Sequence, residues 1–592
     1  MLDPRIYRAG LVAVALAVIV LAFSLGSQQG ALGTTIAPDA FNGQSAYLTL
    51  NSLARAHPDR RPGSSDDDQL AGYVAGALRH DSFSVSTTGF EGHTAEGSRR
   101  LQTVTAVRAG LSTGSSIVVL AHRDSLHSPA TAELSGTATL LELARVLNGE
   151  TLHRTIVLVS TSGSAGAAGA AQVARSAGAG ADAVIVLGDL AGTRLEPPIV
   201  VPWSDGQQVA PPVLRNTLAG ALASQAGLRP GGTGLAGQIA HLAFPLTVSE
   251  QGPFGARGEP SVLLSASGER GPGARAPVSP ARIAALGRTV LQTVNALDGA
   301  PDVPTPSPYL LFDGKVIPQW ALRVLALALI LPVLGATIDG LARARRRGHS
   351  ITRWVVWVLA GGLPFALALL LVLAAGASGL IGAAPPGPVG AGAVPVQAAG
   401  VVVLIAAALV IAVAFAFLRP LVIGLVSRAP GRAGGTGVAG GPGAAVALLA
   451  VMCGVSLAIW ITNPLAAALI SPALHLWMWV LAPDVRLRTV PMLALLIAGI
   501  IPPVLVAAYY ANALELAPLG VVWNGMLLLA GGQVGLLAAL EWSVVLGCAV
   551  SVVLIALRSA GGNRPLPPVT VRGPVTYAGP GSLGGTKSAL RR

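Results

Sequence analysis

The chain has 592 residues, of which 52% are hydrophobic and only 11% charged, against roughly 25% charged in an average soluble domain. That balance excludes a single soluble core and, despite 73 glycines and 43 prolines, a disordered chain; it points to a membrane protein. The net charge of +12 sits largely beside apolar stretches, so a lipid bilayer is the expected partner and nucleic acid is not.

Residues 11–27, LVAVALAVIVLAFSLGS, form an apolar stretch preceded by Arg5 and Arg8. The following Ser27-Gln28-Gln29-Gly30 lacks a small-x-small cleavage site, so 1–29 is expected to be an uncleaved transmembrane anchor. Residues 30–300 are polar enough to be soluble. Strand-length apolar runs at 116–121, 155–160, 183–187 and 261–265 alternate with helical patterns at 136–148, 165–177 and 280–297. Continuous apolar runs mark strands buried on both faces, and helical crossovers make them parallel. The expectation is an α/β three-layer sandwich with a mostly parallel sheet. Residues 301–317, opening within APDVPTPSP, read as a stiff linker.

From 318 to 558 the chain reads as a multi-span membrane domain. Apolar spans fall near 320–338, 354–380, 397–418, 442–461, 464–482, 490–510, 521–538 and 541–557, each near the roughly 20 residues a bilayer crossing needs. With the N-terminal span that makes nine, or eight if 464–482, with Pro472 and His475, is re-entrant. The arginines at 343 and 345–347 place the loop 341–352 inside, and residues 30–317 then lie outside the plasma membrane. The basic tail 559–592, rich in Gly, Pro and Arg, is expected to be disordered. Glu541 reads as a hairpin turn between two apolar halves, and His475 beside Trp477 and Trp479 as an interfacial contact. The two cysteines, Cys453 and Cys548, lie inside apolar spans, so the polar part has neither a disulfide framework nor a cysteine zinc site.

The polar part carries a series of local motifs: Arg61-Pro62-Gly63-Ser64, LQTVTAVRAG at 101–110, VVLAHRDS ending at Ser125, ELSGTATLLELARVL, RTIVLVSTSGSAGAAGA, AVIVLGDLAG and SEQGPFGARGEPSVLL at 249–264. In order and spacing they resemble metallopeptidase family 28, the dinuclear-zinc aminopeptidases, over roughly residues 45–298. The resemblance implies a zinc-exopeptidase fold. His122 matches the family's first His ligand, Asp124 the acid that supports that imidazole, and Asp189 an aspartate ligand. The bridging carboxylate falls on Ala132, with Glu133 one place late. The general-base glutamate falls on Gly163 and the next glutamate ligand on Ser164. The final His is missing, since no His occurs from 242 to 348. Neither a hydrogen nor a serine hydroxyl replaces a carboxylate in holding Zn²⁺ or accepting a proton near pH 7.

The resemblance therefore implies a degenerate exopeptidase-like protein in which His122 and Asp189 are vestigial metal positions and Asp124 a vestigial support. No cofactor is expected, and the cleft would bind a peptide, an envelope component or a partner protein. One alternative is an active metallo-aminopeptidase with displaced ligands, holding zinc through His122, Asp189 and Asp124, Glu133 or His127. Another is a transport or assembly component whose outer domain is a receptor or lid. The architecture is similar to that of the multi-spanning subunit of glycosylphosphatidylinositol transamidase, and the composition looks bacterial.

Overall fold

The computed structural model describes residues 4–112, 114, 116–176, 180–348, 351–382, 384–427, 443–482 and 487–561. The chain opens with the apolar helix α1 (Pro4–Phe23), and in chain order there follow β1 (Gly26–Ser27), α2 (Gly43–Ala56), α3 (Ser65–His80), β2 (Ser84–Thr94), β3 (Gly97–Arg108), β4 (Ser116–His122), α4 (Ser135–Leu147), β5 (Thr155–Thr161) and α5 (Ala168–Ser176). It continues through β6 (Ala181–Leu187), β7 (Val200–Val201), α6 (Pro212–Ala226), α7 (Leu235–Ala243), α8 (Gly252–Ala256), β8 (Ser261–Leu264) and α9 (Pro280–Asp298) to the hairpin β9 (Tyr309–Phe312) and β10 (Lys315–Pro318). Apolar helices follow: α10 (Gln319–Arg346), α11 (Thr352–Ala377), α12 (Ala398–Val413), which continues through a π-helical turn (Ala414–Leu418) into α13 (Arg419–Ser427) as one span, α14 (Ala444–Thr462), α15 (Pro464–Leu481), α16 (Thr489–Ala513), α17 (Pro518–Ala530) and α18 (Leu536–Gly561).

Local chemistry sets several of these boundaries. The Ser64 hydroxyl accepts from the Asp67 amide and caps α3, whose first turn carries Asp66, Asp67 and Asp68 and whose last turn carries Arg79 and His80. Both charge placements favour the helix dipole. Ser279 caps α9 in the same way, with Pro280 at the first helical position.

The main sheet runs β2-β3-β5-β4-β6-β8-β7. The four predicted runs are β4, β5, β6 and β8, and they pair in parallel at its centre. The sheet as a whole is mixed, because β2, β3 and β7 add antiparallel pairings at the two sides; the expectation of a mostly parallel sheet is corrected accordingly. Alternation sends successive side chains to opposite faces. Ile117, Val119, Ile156, Leu158, Ile185 and Val262 meet residues of α2, α3, α4, α6 and α9 on one face. Val118, Leu120, Val159, Val184, Val186 and Leu263 meet Val173 of α5, Leu242 of α7, Phe254 of α8 and the hairpin residues Tyr309 and Leu310 on the other. That hairpin occupies much of the stretch read as a linker: β10 pairs with both β9 and β1, which ties the end of α1 to the start of α10.

Among the described residues, eight helices are long and apolar enough to cross a membrane. The stretch 464–482 is one of them, as the 18-residue α15. The short element is instead α17, at 13 residues, where a ninth span was expected at 521–538. Most of the tail, 562–592, lies outside the described residues. Cys453 and Cys548 are both buried and free. Helices α11 and α18 cross at glycines: a Cβ on Gly547 would fall 2.6 Å from both the Gly361 carbonyl carbon and the Gly362 Cα. Small residues permit such close backbone approach between apolar helices. Gly547→Val is expected to destabilise the helical part by about 1–3 kcal/mol through overpacking. Thermal unfolding of the full chain in detergent checks this, and an unchanged midpoint would reject the crossing.

Candidate functional site

The parallel strands β4, β5, β6 and β8 end along one edge of the sheet, and the loops that follow them enclose a cavity of about 180 Å³. Ligands of open α/β sheets gather at this edge. His122 is the last residue of β4. Asp189 lies just past the end of β6, the strand beside β4. Both line the cavity, together with His127, Glu133, Ser164 and Glu250. The roof comes from the apolar helical part: Pro388, Val389, Gly390, Ala391 and Ala393, between α11 and α12, line the same space. A Cβ on Gly166 would collide with Pro385, so the backbones of loop and roof are in close contact.

His122, Asp124 and Asp189 each have protein partners. The His122 Nδ1 lies 3.2 Å from Glu250 Oε2, and Glu250 Oε1 accepts from the Thr161 hydroxyl at 2.7 Å. Burial alone would lower the imidazole, but the hydrogen bond and charge of Glu250 outweigh it, with Asp124 and Glu133 adding, and His122 is raised to about 9. Asp124 does not hold the imidazole, as the resemblance implied. Its carboxylate accepts from the Ser164 amide and hydroxyl, each at 3.0 Å, and burial pushes it up to about 7 against the pull of His122. The Asp189 Oδ1 accepts from the amides of Ala191 at 3.0 Å and Gly192 at 2.7 Å. Burial raises this carboxyl too, against those hydrogen bonds and those of Ser267 and Ser135. Glu133, partly exposed by surface area yet closely surrounded, is likewise raised by burial, opposed by Ser125, His122 and Arg60.

The positions that would need carboxylates for a dinuclear zinc site do not supply them, and the backbone explains one of the losses. Gly163 has φ +81°, a left-handed conformation, and a Cβ there would meet Leu101 at 2.9 Å and Ala168 at 3.0 Å. A glutamate at 163 would be strained. Ala132 is buried and contributes no ligand atom. Among the described residues no group of three or more His, Cys, Asp or Glu is arranged to hold a metal ion. The donor set does not fit a dinuclear zinc site: Ala132, Gly163 and Ser164 bring no carboxylate, which leaves His122 and Asp189 alone of the expected ligands.

Sequence reasoning missed Glu250. Its segment, SEQGPFG, was singled out only for its likeness to a family motif. It also missed the pair Arg123–Asp67, which is fully buried beneath the cleft at 2.8 Å. The acidic first turn of α3 signalled a helix start and gave no sign of this second role.

No protein-family model and no characterised protein sequence matches the chain. Solved structures similar to part of it include a glutaminyl cyclase from Porphyromonas gingivalis, 20% identical over 43% of this chain and 98% of that one, with a TM-score of 0.32. A zinc aminopeptidase from Bacillus subtilis is 12% identical over 43% of this chain and 94% of its own, with a TM-score of 0.35. A glutaminyl cyclase from an Acidobacteriales bacterium is 15% identical over 46% of this chain and 99% of its own, with a TM-score of 0.34.

Proposed function

We propose that this is a multi-pass plasma-membrane protein whose sheet domain, outside the membrane, binds a peptide, an envelope component or a partner protein in the roofed cleft without cutting it. The observation that carries this reading is the absence of carboxylates where the metals and the base would need them: Ala132, Gly163 and Ser164 stand at those positions, and Gly163 holds a left-handed backbone in which a side chain would press on Leu101 and Ala168. The orientation rests on Arg343, Arg345, Arg346 and Arg347 at the end of α10, which favour the cytoplasmic side.

The full chain, purified in detergent with zinc or cobalt supplied, is expected to carry substoichiometric metal and to leave aminoacyl-nitroanilides intact. Loss of one acid–base group alone costs about 10²–10⁴-fold, and the lost ligands add to that. Chelator-sensitive cleavage that disappears in His122→Ala would reject the reading. It would favour an enzyme with displaced ligands, for which His127 and Glu133, lining the same cavity, are the available donors. Orientation is tested separately: a cysteine introduced at Arg345 should stay unlabelled by a membrane-impermeant maleimide in intact cells.

A further inference from the structure

A second cavity, of about 310 Å³, lies between the sheet domain and the C-terminal end of α16. That volume is at the lower end of the roughly 300–1,000 Å³ typical of small-ligand sites. Its wall is built and aromatic. His241 is 6% exposed, and its ring stacks on Trp203 with centroids 4.7 Å apart and planes 5° apart. Tyr509 and Tyr510 press against the same imidazole edge-on, at 5.6 and 5.5 Å. The Tyr510 hydroxyl donates to the Phe244 carbonyl at 2.5 Å and lies 3.3 Å from His241 Nδ1; the Tyr509 hydroxyl lies 3.2 Å from Nε2. Burial lowers His241 to about 4, so the imidazole is neutral and brings no charge to the cavity.

The charge comes from Glu269, on the wall shared with the first cavity. The Thr247 hydroxyl donates to its Oε2 at 3.2 Å. Among the described residues no cation pairs with Glu269. The neighbouring Arg270 is committed to Glu196 and Glu515. Asp205, which accepts from the Thr247 amide at 3.2 Å, adds negative potential behind it. Both carboxyls are pushed up to about 7 by burial, the behaviour of acids that lack a counter-charge. A carboxylate without a cation, beside the phenol rings of Tyr509 and Tyr510, presents acceptors and negative π-faces together. These are the two elements that recognise an organic cation.

We propose that this cavity binds the primary ammonium group of a small ligand, with Glu269 as its counter-ion and the tyrosine hydroxyls as further acceptors. The Glu269 carboxylate and the tyrosine hydroxyls accept N–H donors, which a primary ammonium has and a quaternary amine lacks. The site adjoins the cleft of His122, with Glu269 in the shared wall, and stands whether or not that cleft cuts. Since α16 forms one wall, the amine comes from a soluble molecule or from a lipid headgroup.

The test is calorimetric titration of the full chain in detergent with ethanolamine, and with choline as the methylated control. Ethanolamine is expected to bind saturably. Choline, and ethanolamine with Glu269→Gln, should bind about tenfold more weakly or worse, the scale of a lost charged hydrogen bond. Glutamine still accepts from Thr247, so an unchanged unfolding midpoint certifies that the variant is folded. Competition by nanodiscs of phosphatidylethanolamine, but not of phosphatidylcholine, would support the proposal with a lipid source. Absence of competition alongside saturable ethanolamine binding would support it with a soluble source. No ethanolamine binding, equal binding of choline, or an unaffected folded Glu269→Gln variant would overturn it.

Discussion

Arg123→Ala is expected to cost about 3–5 kcal/mol, a large part of the roughly 5–15 kcal/mol that holds a typical domain folded. Both Arg123 and Asp67 have no exposed side-chain surface, and they meet at 2.8 Å. The guanidinium also donates to the backbone carbonyls of Asp67 at 3.2 Å, Ser160 at 3.1 Å and Gln102 at 2.8 Å. Asp67 in turn accepts from the Gly63 amide at 2.9 Å and the Ser162 hydroxyl at 2.5 Å. One buried cation thus joins α3, β3 and β5 directly beside His122. Removing it strands a carboxylate and three carbonyls away from water, and that desolvation dominates the loss. The double variant Arg123→Met, Asp67→Leu should recover part of the stability, since replacing both charges leaves neither unpaired. Denaturant unfolding of the full chain in detergent measures both. A single variant within about 1 kcal/mol of the parent, the range of an exposed ion pair, would show that the pair is not buried in solution.

Thermal stability is expected to fall as pH rises from 5 to 9. Asp124, Asp205, Glu259 and Glu269 are each pushed up to about 7, with burial the largest cause in every case. In the unfolded chain such carboxyls titrate near 4. The folded state holds these protons more tightly, so their contribution is fully present below about pH 4 and is lost as pH rises through about 7. His122 adds to the trend. Raised to about 9 from an unfolded value near 6.5, it stabilises the fold below that lower value and loses its contribution as pH rises through the upper one. All five groups act in the same direction. Surface area leaves Asp205 and Glu269 only partly buried, which discounts their share. Even so, a drop in midpoint on the order of 5 °C or more is expected between pH 5 and pH 9. Glu259→Gln with Asp205→Asn should flatten the profile, and a midpoint that climbs across this range would contradict the assignment.

The centre of the sheet was legible because β4, β5, β6 and β8 are buried on both faces, so composition alone marks them as strands. The outer hairpin was not, since β2 is mostly exposed and its residues answer to pairing with β3 rather than to burial. The end of α17 was missed for a related reason: apolar residues continue beyond Ala530, but Gly531 and Gly532 break the helix there. At the candidate site, strand ends fixed His122 and Asp189. The partnership of His122 with Glu250 spans over a hundred residues and depends on how the segment before α8 folds back on the sheet. Nothing in the local pattern around either residue encodes that contact. The left-handed backbone at Gly163 is likewise invisible until the turn after β5 is built.

The roof of the cleft is chain that runs between two apolar helices. Anything that enters the cleft by lifting Pro388 and Val389 must disturb α11 and α12, which flank the roof, and α17, whose Trp523 indole donates to the Val394 carbonyl and packs with Val389. Occupancy and the arrangement of those helices are therefore mechanically linked, and strain applied at either end is felt at the other. A chain cut before α10 would keep the sheet and its loops but would present an uncovered, more accessible groove. Ligand affinities measured on such a fragment would describe a different object from the one in the bilayer.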